Sequence, residues 1–92
     1  MNVWAEVVVE FNPRDAMEFH IRSHIHHRGP ARFVASVMAI PAEGASPDPW
    51  EVMEKASASK AEARATLREL TVKMGEKIRA SGGAIVTVET FD

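Results

Sequence analysis

The chain contains no cysteine. It can therefore form no disulfide, no thiolate zinc site and no thiol nucleophile, a composition that suits the cytoplasm. Long apolar runs are also missing. The longest near the N-terminus, VWAEVVVEF, is interrupted by Glu6 and Glu10 and has no basic segment before it. It reads as neither a signal peptide nor a membrane span. Nor is there an excess of basic charge: 11 Lys and Arg against 13 Asp and Glu leave a formal net charge of −2. A dedicated polyanion binder would be clearly basic, so only a local basic patch is compatible with this balance. Catalytic motifs are absent too. No Ser-His-acid spacing, glycine-rich phosphate loop or H-E-x-x-H occurs, and Gly82-Gly83 follows a helical pattern instead of opening one. The expectation is a chain that is not an enzyme and needs no cofactor.

What remains is an ordinary globular composition in 92 residues, enough for one domain over 1–92 with a single core. From Val3 to Phe11 apolar and polar residues alternate, the signature of a strand with one buried face. Asn12-Pro13-Arg14-Asp15 supplies turn chemistry. In the next run Phe19, Ile21, Ser23 and Ile25 share one face, and His20, Arg22, His24 and His26 the other. A hairpin register setting Val9 opposite Phe19, Val7 opposite Ile21 and Val3 opposite Ile25 unites the apolar faces. It also sets Glu6 against Arg22 and Trp4 against His24.

Arg28-Gly29-Pro30 turns the chain into a third strand, Arg32 to Ile40, apolar on both faces. Pairing Phe33 with Ile25 and Val37 with Ile21 continues the core. The segment WEVMEKAS reads as a fourth, edge strand, with a short helix opening at Pro49 as the alternative. Ser59 followed by Glu62 forms a capping box. Ala63, Leu67, Leu70, Met74 and Ile78 then make one helical stripe, and Gly82-Gly83 stops it. AIVTVETF is the last strand. The resulting class is α+β: an antiparallel sheet of four to five strands with one long helix packed on one face.

The stretch HIRSHIHHRG holds all four histidines with Arg22 and Arg28 and no acid. His24 and His26 form an H-x-H pair about 6.7 Å apart along a strand, but no third ligand stands near, so a polar strand face is preferred over a metal site. The same window gains positive charge as pH falls through about 6.5. With Arg32 it could meet phosphates or an acidic protein patch. On the helix Arg64, Arg68 and Arg79 flank the stripe on one side, Lys73 and Lys77 on the other, where long basic side chains usually cover apolar surface with their stems. The outer sheet face, with Trp4, Val8, Val34, Met38 and Ile40, is too apolar to stand in open solvent.

At the strand-to-helix passage, WEVMEKASASKAEARATLREL resembles two families. Ser59-Lys60-Ala61-Glu62-Ala63, with the Gly29-Pro30 turn, is similar to the double-stranded-RNA-binding domain. The element order and SASKAEARATLREL look like the HicB-like antitoxin domain of three strands, a helix and a closing strand. The resemblance bears on fold more than on role, and the expected function rests on the apolar outer face. It is a non-enzymatic interaction module, an inhibitor or antitoxin-like protein of phage or bacterial type, working as a homodimer or against a protein partner. Trp4, Val8, Val34 and Met38 supply apolar area, and Arg22, Arg28 and Arg32 steering charge. The alternative is a double-stranded RNA or DNA binder using His24, His26, Arg28, Lys60, Arg64 and Arg68. No membrane contact is expected.

Overall fold

The structure, a computed structural model, describes residues 3–7, 17–43 and 49–91. Its elements follow the order β1 (Val3–Val7), β2 (Glu18–Gly29), β3 (Arg32–Pro41), β4 (Glu51–Ser57), α1 (Lys60–Ala80) and β5 (Ala84–Phe91). WEVMEKAS therefore supplies the fourth strand and not a helix. The strand order is β1-β5-β2-β3-β4.

The strands β5, β2, β3 and β4 form a mixed sheet, which corrects the expectation of a purely antiparallel one. β2 runs antiparallel to β3, and β3 to β4, but β2 and β5 are parallel. The cause is the helix. A 21-residue helix is about 30 Å long and carries the chain back along the whole sheet, so β5 must restart in the direction of β4. The expected β1–β2 hairpin is likewise replaced. β5 lies between the two strands, and β1 pairs antiparallel with β5, Val3 opposite Phe91 and Val7 opposite Thr87. Of its expected members, Val8, Val9, Glu10, Phe11 and the turn at Asn12 lie outside the described residues.

The β2–β3 hairpin forms, with Ile25 opposite Ala35, Ser23 opposite Val37 and His27 opposite Phe33. This is two residues from the expected register. A slip of two keeps every side chain on its face, because the strand period is two. Of the expected core, Phe19, Ile21, Val37, Leu67, Met74 and Ile78 are buried together; Ala35, Ala39 and Ile85 join them, Ile25, Met53, Leu70 and Val88 stand at the border, and Phe33 lies outside this cluster. No helix of the described residues is long and apolar enough to cross a membrane.

Both helix ends are closed by side-chain and backbone chemistry. Ser59 Oγ accepts from the Glu62 N–H at 3.2 Å, the first half of a capping box. At the other end the Gly83 N–H donates to the Ile78 carbonyl at 2.9 Å and the Gly82 N–H to Arg79 at 3.0 Å. With Gly82 at φ +85 this is a Schellman stop, where a residue without Cβ is favoured.

Candidate functional site

Two registers build the outer face, opposite the helix. Between Phe19 and His20 the β2–β5 register shifts: Phe19 lies opposite Ile85, but His20 opposite Thr87. One extra residue on β5, Val86, reverses the facing of everything after it. Thr87, Glu89 and Phe91 therefore join the β2 row of His20, Arg22 and His24. His20 Nδ1 hydrogen-bonds Thr87 Oγ1, and Arg22 Nε lies 3.6 Å from Glu89 Oε2. The His24 ring stacks on Phe91 at 4.6 Å and on His26 at 5.6 Å, while the Arg22 guanidinium sits 5.9 Å from the Phe91 ring centre. The partners expected from β1, Glu6 and Trp4, are thus replaced by Glu89 and Phe91. Trp4 pairs through its backbone with Thr90.

Across β2 the face continues into β3 and β4. His20 is opposite Ile40, Arg22 opposite Met38, His24 opposite Ser36 and His26 opposite Val34. Met38 then meets Val52, Ser36 meets Glu54 and Val34 meets Ala56. Ser36 is buried within this face and donates to Glu54 Oε1 at 3.4 Å. Val34, Met38 and Ile40 are half-buried, and Val52 keeps 40% of its surface exposed. The helix packs on the opposite side, and among the described residues nothing lies over this one.

The hairpin tip reaches beyond the end of β5. Arg28 is the extra residue where the register passes from His27–Phe33 to Gly29–Arg32, and Arg28 and Arg32 are both exposed. Lys60, Arg64 and Arg68, at the start of α1, share this end of the molecule. They do not share a face with His24 and His26, which lie on the other side of the sheet. His27 points to the helix side and stacks on Phe33 at 4.7 Å. Among the described residues no group of three His, Asp or Glu side chains could hold a metal.

The acidity of His24 is displaced by its surroundings. Partial burial, then the charges of His26 and Arg22, hold its pKa below the ordinary value, against a smaller opposite pull from Glu89. The sign follows from proton linkage: folding disfavours the protonated ring. His24's contribution to stability is complete above pH ~6.5 and is lost as pH falls through that value and the lowered one. His24→Phe, which keeps a ring against Phe91, should therefore lose less thermal stability between pH 7.5 and 5 than the parent. Melting curves at the two pH values read this directly, and equal losses in both proteins would remove the assignment.

The sequence pattern alone missed Thr87, Glu89 and Phe91. Their alternation in AIVTVETF was visible, but the bulge that selects their face was not. No family model matches the chain, and neither a curated protein nor a solved structure matches it.

Proposed function

We propose that this chain is a non-catalytic protein-interaction module whose outer sheet face is covered in use by a protein surface. The observation that supports it is the row of Val34, Met38, Ile40 and Val52 beside Phe91 and His24, on a face over which no helix of the described residues lies. Contiguous apolar surface of this kind marks interaction sites. Polar groups stand among and around it, Arg22 within the face and His20, Glu89 and Glu54 toward its edges, in the mixed composition that interfaces have. A second copy of the chain is the first occupant to test, since the same face on two protomers can pack sheet on sheet about a twofold axis. Arg28 and Arg32 at the tip would steer an acidic partner. A small inhibitor or antitoxin-like role is the finer form of this reading.

The test is Met38→Asp and, separately, Val34→Asp. Each should abolish concentration-dependent self-association in light scattering, or lower partner affinity at least tenfold, with the far-ultraviolet helix signal unchanged. Association identical to the parent in both variants would sink the proposal. Duplex RNA or DNA is the second reading, favoured by Arg28, Lys60, Arg64 and Arg68 gathering at one end. It requires binding that weakens steeply with salt, and a flat salt response removes it.

A further inference from the structure

His24 and His26 stand two residues apart on β2, about 6.7 Å along the strand, and both rise from the outer face. Their ring centres are 5.6 Å apart. Two imidazoles bound to one tetrahedral zinc at about 2.0–2.1 Å have ring centres about 5 Å apart, so the pair already stands near that spacing. The other two histidines are placed differently. His20 Nδ1 is hydrogen-bonded to Thr87, and His27 points to the helix side, against Phe33. Among the described residues no hydrogen bond or ion pair engages a ring nitrogen of His24 or His26.

The two rings are held unequally. His24 is stacked on Phe91, with 8° between the ring planes. His26 lies outside it, 10° from parallel to His24. Parallel rings aim their nitrogens side by side and not at a common point. Turning the outer ring, His26, about its side-chain torsions brings its nitrogen onto an ion held by the anchored His24.

Within one chain the pair is half a site. Structural zinc takes four ligands, and among the described residues no group of three metal-binding side chains occurs. A twofold axis supplies the missing half. When the outer faces of two copies meet, an axis passing beside His24 and His26 brings four imidazoles to one point. Facing sheets stand about 10 Å apart, and a histidine from each reaches the middle of that gap. Val34 lies opposite His26 and Met38 opposite Arg22. With Phe91 they place apolar surface around the pair. Arg22, the next cation of the row, is paired with Glu89 at 3.6 Å, which offsets its repulsion of a divalent ion.

We propose that His24 and His26 of two copies bind one zinc ion between them, so that the metal locks the outer faces into a twofold dimer. This rests on a second copy being the occupant of that face. Neutral imidazole is the ligand form, and an ordinary histidine is neutral at pH 7.5. Imidazole nitrogen suits zinc, whereas magnesium takes oxygen ligands.

The test uses the full chain freed of metal with a chelator, at pH 7.5, its mass followed by sedimentation against protein and zinc concentration. Zinc should tighten the dimer at least tenfold, with one ion per two chains by elemental analysis. Chelator should reverse this, and magnesium should not reproduce it. His24→Gln and His26→Gln should each abolish the zinc effect, while His20→Gln and His27→Gln keep it. His26→Gln is the sharper variant, because it leaves the His24–Phe91 stack in place. Zinc bound one per chain without dimerisation, or a zinc effect kept in His26→Gln, would overturn the proposal. The interface reading has its own readout. A metal-free dimer that Met38→Asp abolishes but zinc does not tighten removes the metal site and leaves that reading standing. A zinc-dependent dimer untouched by Met38→Asp does the reverse. A chain monomeric with and without zinc removes both the site and the second copy as occupant.

Discussion

Phe19→Ala is expected to lower the unfolding free energy by about 3–5 kcal/mol, the range for deleting a buried aromatic ring. In a domain with about 5–15 kcal/mol in hand, that is a large fraction of its stability. Phe19 is 2% exposed, its ring centre 5.0 Å from that of Trp50. Its other neighbour is the Schellman turn. A Cβ placed on Gly83 would lie 2.7 Å from the Phe19 ring and 3.0 Å from Ile78 Cγ2. The backbone has little room to retreat. The Gly83 N–H is bonded to Ile78, and the next N–H, of Ala84, donates to the Met17 carbonyl at 2.9 Å.

Gly83→Ala should therefore cost about 1–3 kcal/mol as an overpacking change. Its cost should largely vanish in a Phe19→Ala background, where the ring is gone. Urea unfolding of the two single variants and the double variant measures this coupling, with a shifted midpoint and unchanged slope as the mark of a pure stability effect. Additive costs would show that Gly83 is required for backbone reasons alone, as Gly82 is by its positive φ, and that the contact with Phe19 is incidental.

How much of this could be read before the fold was known depends on the range of each signal. Alternation in β2 and β3 is local, so it assigned Phe19, Ile21 and Val37 to the core and His20, Arg22 and Met38 to the outside. The helix stripe from Ala63 to Ile78 and the cap at Ser59 are local as well. Which strands are neighbours is a different question. Arg22 needs an acid and His24 a flat partner. Glu6 and Trp4 satisfied both in a hairpin, and Glu89 and Phe91 satisfy both across a parallel pair. Complementary pairs therefore did not distinguish the two sheets. One signal could have: a helix long enough to span the sheet, with a strand at each end, makes those strands parallel. The bulge at Val86 had no sequence mark, since Ile85, Val86 and Val88 are interchangeable in chemistry. That one residue decides the polar row of the outer face.

The polar contact inside the core gives an asymmetric expectation. Ser23 is fully buried beneath the helix, its Oγ 2.8 Å from Thr71 Oγ1. Thr71 in turn donates its hydroxyl hydrogen to the Leu67 carbonyl at 2.7 Å. A hydroxyl has one hydrogen, so Thr71 can only accept from Ser23, and Ser23 is the donor. Thr71→Val removes that acceptor and strands the Ser23 hydroxyl in an apolar core, at an expected cost of about 1–3 kcal/mol. Ser23→Ala removes the donor instead and leaves Thr71 with its bond to Leu67, so its cost should stay below about 1 kcal/mol. The double variant, with both hydroxyls gone and two apolar side chains in contact, should recover most of what Thr71→Val loses. Chemical unfolding of the three variants decides the direction of the bond. If Ser23→Ala proved the more damaging of the two single changes, the donor assignment would be reversed, and Thr71 would no longer be the helix's polar anchor on β2.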